Sequence, residues 1–139
     1  MKISEMLNAI FPLNQVIARE LPGKLAYAVA KNTRIINKEL EIVNETRVKM
    51  LEAHGYKPNS KTNKYDIPQK EQAAWDKEFD EFAETDIEVS LFKVSPQLFD
   101  NVTTITPQEI MALTFMIDDE IEDTPKGKFV KTNKTRRIK

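Results

Sequence analysis

Five residues, Lys24, Tyr27, Lys31, Arg34 and Lys38, follow one another at steps of three, four, three and four. On a helix that spacing puts all five on one face. Their chemistry is that of anion recognition. An arginine grips phosphate through a two-pronged fork, lysines act as point charges, and a tyrosine ring offers a surface on which a base can stack. Asn32 lies next to Lys31 and could read a base edge or sit as a polar residue within an apolar seam. No acidic side chain interrupts residues 21–38. Two uses of the stripe stand open: internal pairing with acidic residues, or contact with an anionic ligand.

The remaining candidates are weaker. His54, the lone histidine, precedes Gly55 at the end of the same helical stretch. An imidazole there is favoured in its charged form by the helix dipole, whether or not it does chemistry. Asp76, Asp80 and Glu84 recur at steps of four, and Asp118, Asp119, Glu120, Glu122 and Asp123 cluster further on. Paired carboxylates serve glycoside hydrolysis or hold hard cations. Neither group has the glycine and the fixed spacing of a calcium loop, so a solvated acidic face is expected of both. With no cysteine, no phosphate loop, no dinucleotide-binding glycines and no zinc spacing, the expectation is a chain with no catalytic residue, metal or cofactor.

The charge is unevenly placed. A formal net charge of −1 conceals 11 basic and 7 acidic groups over residues 1–67, 3 and 15 over 68–123, and 7 and none over 124–139. Opposite segments that fold together cancel; a segment that stays apart meets an anion. The basic tail lacks the interleaved aromatics of a stacking platform, which disfavours nucleic acid as a partner.

The elements that must position these residues are mostly helical. Ser4 is expected to cap a first stretch, 4–20, that Pro12 kinks or splits. Pro22 opens a long helix from about residue 23 to His54, with Gly55 just past its end. Leu25, Val29, Ile36, Val43 and Met50, with Asn32 and Leu40 between them, form one seam near a seven-residue repeat. About 30 residues make a helix of ~45 Å, longer than a domain of this size needs. Such a helix is expected to project or to pair with a second subunit.

Tyr56 to Ile67 reads as a hairpin-like loop. Pro68 opens a third helix to about Thr85, with Ala74, Trp75, Phe79 and Phe82 inward. Ile87, Val89 and Leu91 alternate with polar residues as in a half-buried strand, and Val102 to Ile105 could pair with them. Thr106-Pro107-Gln108-Glu109 has the form of a capping box ahead of Ile110, Leu113, Phe115, Met116 and Ile117. Residues 124–139 read as a mobile tail. The expected fold is mainly α (α+β): a long-helix antiparallel hairpin or bundle with a small two-stranded β element and a flexible basic C-terminal tail. One helical domain would occupy 1–123. At 139 residues, 40% hydrophobic and 31% charged, without a long apolar run or a signal-peptide core, the chain is expected in the cytoplasm.

The stretch Leu21-Pro22-Gly23-Lys24-Leu25-Ala26-Tyr27-Ala28-Val29-Ala30-Lys31-Asn32 resembles the opening of a long charged helix in small accessory proteins of tailed bacteriophages and prophages. Gly55-Tyr56-Lys57 resembles their turn, and Thr106 to Asp118 their closing helix. The resemblance covers about residues 4–120 and implies a phage origin, with the host bacterial cell as the compartment. That origin, taken with the basic stripe and the long helix, leads to the expectation of a non-enzymatic, homo-oligomeric binding protein that neutralises a host defence component, its ligand held in a basic, aromatic pocket between subunits. The partner would be an anionic small molecule, a cyclic nucleotide immune signal among the candidates, or a host defence protein. Lys24, Tyr27, Lys31, Asn32, Arg34 and Lys38 would then be the ligand-binding residues. The alternative is an adaptor or chaperone of virion or tail assembly; a third class, a carboxylate-dependent hydrolase, would use Asp118 or Asp119.

Overall fold

A computed structural model describes residues 1–123 and 129–131. The fold is mainly helical, as expected, with a small antiparallel β element. The first helix, α1, spans Ile3–Val16 as one piece. It starts one residue before Ser4, so the expected hydroxyl cap does not form. Instead the Lys2 amide donates to the Glu5 carboxylate at 2.6 Å, the reach-back half of a capping box. Pro12 neither splits the helix nor ends it. The amide that proline lacks would have faced the carbonyl of Asn8, so the helix continues with one hydrogen bond fewer.

The second helix, α2, runs unbroken over Gly23–Ala53. Its end is set by backbone chemistry. Gly55 has φ +82°, the Gly55 amide donates to Glu52, and the Tyr56 amide returns to Leu51 at 3.2 Å. These are the two bonds of a Schellman motif, and Tyr56 packs in one cluster with Leu51. The seam read from sequence is the buried one: Leu25, Val29, Asn32, Ile36 and Val43 are buried, and Leu40 and Met50 are half-buried.

The chain divides into two compact units, and α2 contributes to each. The first contains Met1–Leu7 and Asn37–Glu88. Within it β1 (Lys57–Asn59) and β2 (Lys64–Asp66) pair antiparallel, with Pro58 opposite Tyr65, as the hairpin-like loop predicts. Asn63 takes the left-handed conformation at the turn, φ +58°, which asparagine tolerates better than most residues. The third helix, α3, covers Gln69–Ala83. Trp75 and Ala83 are buried and Phe79 and Phe82 half-buried, whereas Ala74 is exposed. Positions 75, 79, 82 and 83 share one face, and Ala74 sits about 100° away from it. Leu51, Tyr56 and Trp75 form the core here, with Met50, Tyr65, Ile67 and Phe79 against them.

The second unit contains Asn8–Ile36 and the chain from Val89 onward. Ala9, Leu13, Val16, Leu25, Ala28, Val29, Ile36, Val94, Phe99, Ile105, Leu113 and Met116 are buried in it. The expected strand at 87–91 does not form, and Val102 to Ile105 do not pair with it. Burial still alternates along 87–91, half-buried and exposed in turn. An extended backbone with one face inward produces that alternation without a neighbouring strand. The hydrogen bonds go elsewhere: the Ile87 amide to Met1, the Val94 amide to Met116, and the Asp118 amide back to Val94 at 2.9 Å. A 3₁₀ turn at Pro96–Phe99 follows.

The capping box at Thr106 forms in full and opens α4, Pro107–Ala112. The helix is shorter than its apolar run, which passes at Thr114–Met116 into a 3₁₀ turn. Glu109 does double duty. It accepts the Thr106 amide at 3.0 Å and both terminal nitrogens of Arg19, at 2.5 and 2.7 Å. Arg19 also donates to the Thr104 carbonyl, and the Thr104 hydroxyl donates to Glu20, so the link between α1 and α2 is tied to the start of α4. β3 (Ile121–Asp123) pairs antiparallel with β4 (Phe129–Lys131). The rest of the expected tail, 124–128 and 132–139, lies outside the described residues. No helix among the described residues is long and apolar enough to cross a membrane.

Two stability predictions follow from these ends. Gly55→Ala meets no atom within 4 Å, so its cost is that of the backbone conformation alone. We expect about 1 kcal/mol of destabilisation by urea titration, and less for Gly55→Asn. The Arg19 guanidinium, then the Thr106 amide, hold the Glu109 carboxyl at about 2, below its ordinary 4.5. A depressed carboxylate stabilises the fold above the higher value, and that contribution is lost as pH falls from about 4.5 through about 2. Glu109→Gln should flatten the melting temperature against pH across that window and lower it by roughly 3–6 °C at neutral pH.

Candidate functional site

The cations of α2 reach solvent because the seam takes the opposite side of the helix. From Leu25 to Leu40 each seam residue lies one or two positions from a stripe residue, a rotation of about 100–200°, so burying one row exposes the other. Within the second unit, Tyr27, Lys31 and Arg34 are exposed and lie on one face of α2. Lys31 and Arg34 form no ion pair or hydrogen bond among the described residues, so the internal pairing considered for them is not made there. Lys38 is exposed and likewise without an ion pair among the described residues, but it belongs to the first unit. Lys24 differs. It is half-buried and already has an interaction of its own, which weakens it as a ligand contact.

Asn32 departs furthest from the binding role considered for it. Its side chain is 0% exposed, at the centre of the seam. Its Nδ2 donates to the Phe92 carbonyl at 2.9 Å, and its Oδ1 accepts the Phe92 amide at 2.7 Å. Nδ2 also approaches the Met116 sulfur at 3.5 Å. A carboxamide carries one donor and one acceptor end, as a peptide group does, so Asn32 pairs with Phe92 as a strand neighbour would. At 0% exposure it is out of reach of a base edge. Thr33, also buried, returns its hydroxyl to Val29 at 2.7 Å, and no buried side-chain polar atom among the described residues lacks a partner.

Sequence reasoning missed Phe92. Its ring meets Tyr27 edge to face, centroids 5.3 Å apart and planes at 78°. Tyr27 is nevertheless 54% exposed. The face therefore combines an aromatic ring held from one side with two cations, one and two turns further along α2. That arrangement can bind a phosphate-bearing ligand and stack a planar group.

The other candidates sit in different surroundings. His54 Nε2 is 2.6 Å from Glu78, and its ring stacks on Tyr56 at 5.1 Å and meets Trp75 edge-on. The Tyr56 hydroxyl donates to Glu71 at 2.7 Å, and that carboxylate, with burial, holds the phenol above its ordinary range. These contacts close the end of α2 against α3. Asp76, Asp80 and Glu84 line a shallow acidic groove of about 550 Å³ with Ala73, Lys77 and Glu81. Glu84 is also paired with Lys2 at 2.8 Å. Asp118 accepts the Glu120 amide in a local turn, and Asp119 is exposed. Among the described residues no three histidine, aspartate or glutamate side chains converge as a metal site would require.

No family model matches the chain, and neither a curated protein nor a solved structure matches it.

Removing the Asn32 carboxamide takes away both of its hydrogen bonds to the Phe92 backbone. Asn32→Ala should cost about 2 kcal/mol or more, read from the urea midpoint at constant slope. Asn32→Asp should be no milder, since a carboxylate repels the Phe92 carbonyl that the amide satisfied.

Proposed function

We propose that this chain is a phage-encoded, non-enzymatic binding protein that neutralises a host defence component by sequestering an anionic signal, a cyclic nucleotide, on the basic and aromatic face of α2. One observation carries the reading. Lys31 and Arg34 stand exposed with no partner among the described residues, on the face that also exposes Tyr27. Unpaired neighbouring cations repel one another, and a dianionic or polyanionic ligand relieves that repulsion. Arginine supplies the directional phosphate contact and lysine the adaptable one. The phage origin rests on the resemblance of residues 21–32, and homo-oligomerisation on the length of α2.

A second reading, an adaptor for another phage protein, draws on the second unit's exposed apolar side chains. Phe11 is 67% and Met111 72% exposed, and large solvent-facing hydrophobes mark protein contacts where they cluster.

Native mass spectrometry of protein purified from a bacterial host separates the two. A nucleotide-sized adduct is the expected result; co-purification with a phage structural protein and no adduct would favour the adaptor. In titration calorimetry with cyclic di-AMP, Lys31→Glu combined with Arg34→Glu should weaken binding by about a hundredfold, roughly tenfold for each cation lost. Affinity should also fall as salt rises. Unchanged binding by the folded double variant would remove the stripe from the site.

A further inference from the structure

We infer that Phe92, held by Asn32, is the positioning residue of this face, and that by fixing the Tyr27 ring it makes the site select phosphate ligands that carry a planar base over phosphate alone. The inference rests on the anion-binding reading of Lys31 and Arg34 and adds the source of its selectivity.

A tyrosine on an exposed helix face ordinarily samples several rotamers, and a ligand that stacks on it must first restrict them. Here the restriction is built in. Phe92 lies in an extended segment that forms no sheet, so nothing in a strand ladder fixes its register. The Asn32 carboxamide fixes it instead, by bonding both the amide and the carbonyl of that one residue at 2.7 and 2.9 Å. A second tie follows two residues on, where the Val94 amide meets the Met116 carbonyl at 2.8 Å. Between these ties the Phe92 ring has a set place, and its contact with Tyr27 at 5.3 Å and 78° is the favoured edge geometry for two aromatic rings.

An edge contact covers at most one face of the phenol ring, and the residue remains 54% exposed. That exposure leaves the ring within reach of a planar group. Lys31 follows Tyr27 by four residues and Arg34 by seven, about 6 and 10 Å along the helix. A base stacked on Tyr27 can therefore direct its phosphates toward both cations. Bare phosphate would use the cations and ignore the ring.

Titration calorimetry with cyclic di-AMP and with inorganic tripolyphosphate as probes tests this, on the wild-type protein and on Phe92→Leu, Phe92→Tyr and Tyr27→Leu. Phe92→Leu keeps the backbone groups that Asn32 holds, and its circular dichroism and melting temperature check the fold. We expect the wild type to favour cyclic di-AMP at least fivefold over tripolyphosphate. Phe92→Leu and Tyr27→Leu should erase that ratio by weakening only the nucleotide, and Phe92→Tyr, which keeps an aromatic edge, should retain it. A ratio unaffected by Phe92→Leu, or both probes weakened equally, would overturn the positioning role. If the wild type binds both probes alike, selectivity falls while anion binding stands. If it binds neither, both readings fall together.

Discussion

Burying the Asn32 side chain in the middle of the α2 seam is unfavourable unless both ends of its carboxamide are satisfied, and that requirement organises the second unit. The partner is a backbone, that of Phe92, which brings the segment after Val89 onto α2 at a defined register. From there the ties to Met116 and from Asp118 carry the chain into the turn that follows α4. Leucine at position 32 would satisfy a seven-residue apolar repeat, but it would provide no reason for the segment to stop at Phe92. A single polar residue in an apolar row gives up some burial and gains a unique alignment, much as a buried asparagine sets the register of a coiled coil.

In the first unit, charges are arranged in local pairs: the amino terminus with Asp86, Lys2 with Glu84, His54 beside Glu78. In the second, Arg19 and Glu109 form a two-pronged pair that ties the α1–α2 link to a helix cap. Lys31 and Arg34, like Lys38, stand outside these pairs. They are left without partners among the described residues although acidic side chains are plentiful in the chain. Surface pairs contribute little to stability, so their absence costs the fold little and leaves the cations' field directed into solvent.

Legibility followed the range of the forces involved. The end of α2 at Gly55, the capping box at Thr106 and the hairpin between Tyr56 and Ile67 were all readable, because each is completed by residues no more than nine positions apart. Readings that depended on a distant partner fared worse. The alternation at 87–91 marked an extended, half-buried segment correctly, yet a strand requires a neighbour along its length, and only Ile87 at its start finds one, in Met1. Ser4 had the chemistry of a cap, but Glu5 bound the Lys2 amide and moved the start by one residue. Phe92 carried no local signal at all: its importance comes from Asn32, sixty residues earlier in the chain.

By itself, then, the sequence determined the helices, their ends, the seam of α2 and the row of cations beside it, since periodicity and capping act within a few turns of one helix. Asn32 sits on both patterns, adjacent to the basic row and within the apolar one, and local spacing is equally compatible with a ligand contact and a core residue. Only tertiary structure decided between them. The peptide group that satisfies a buried amide comes from another part of the chain, and no periodicity announces it.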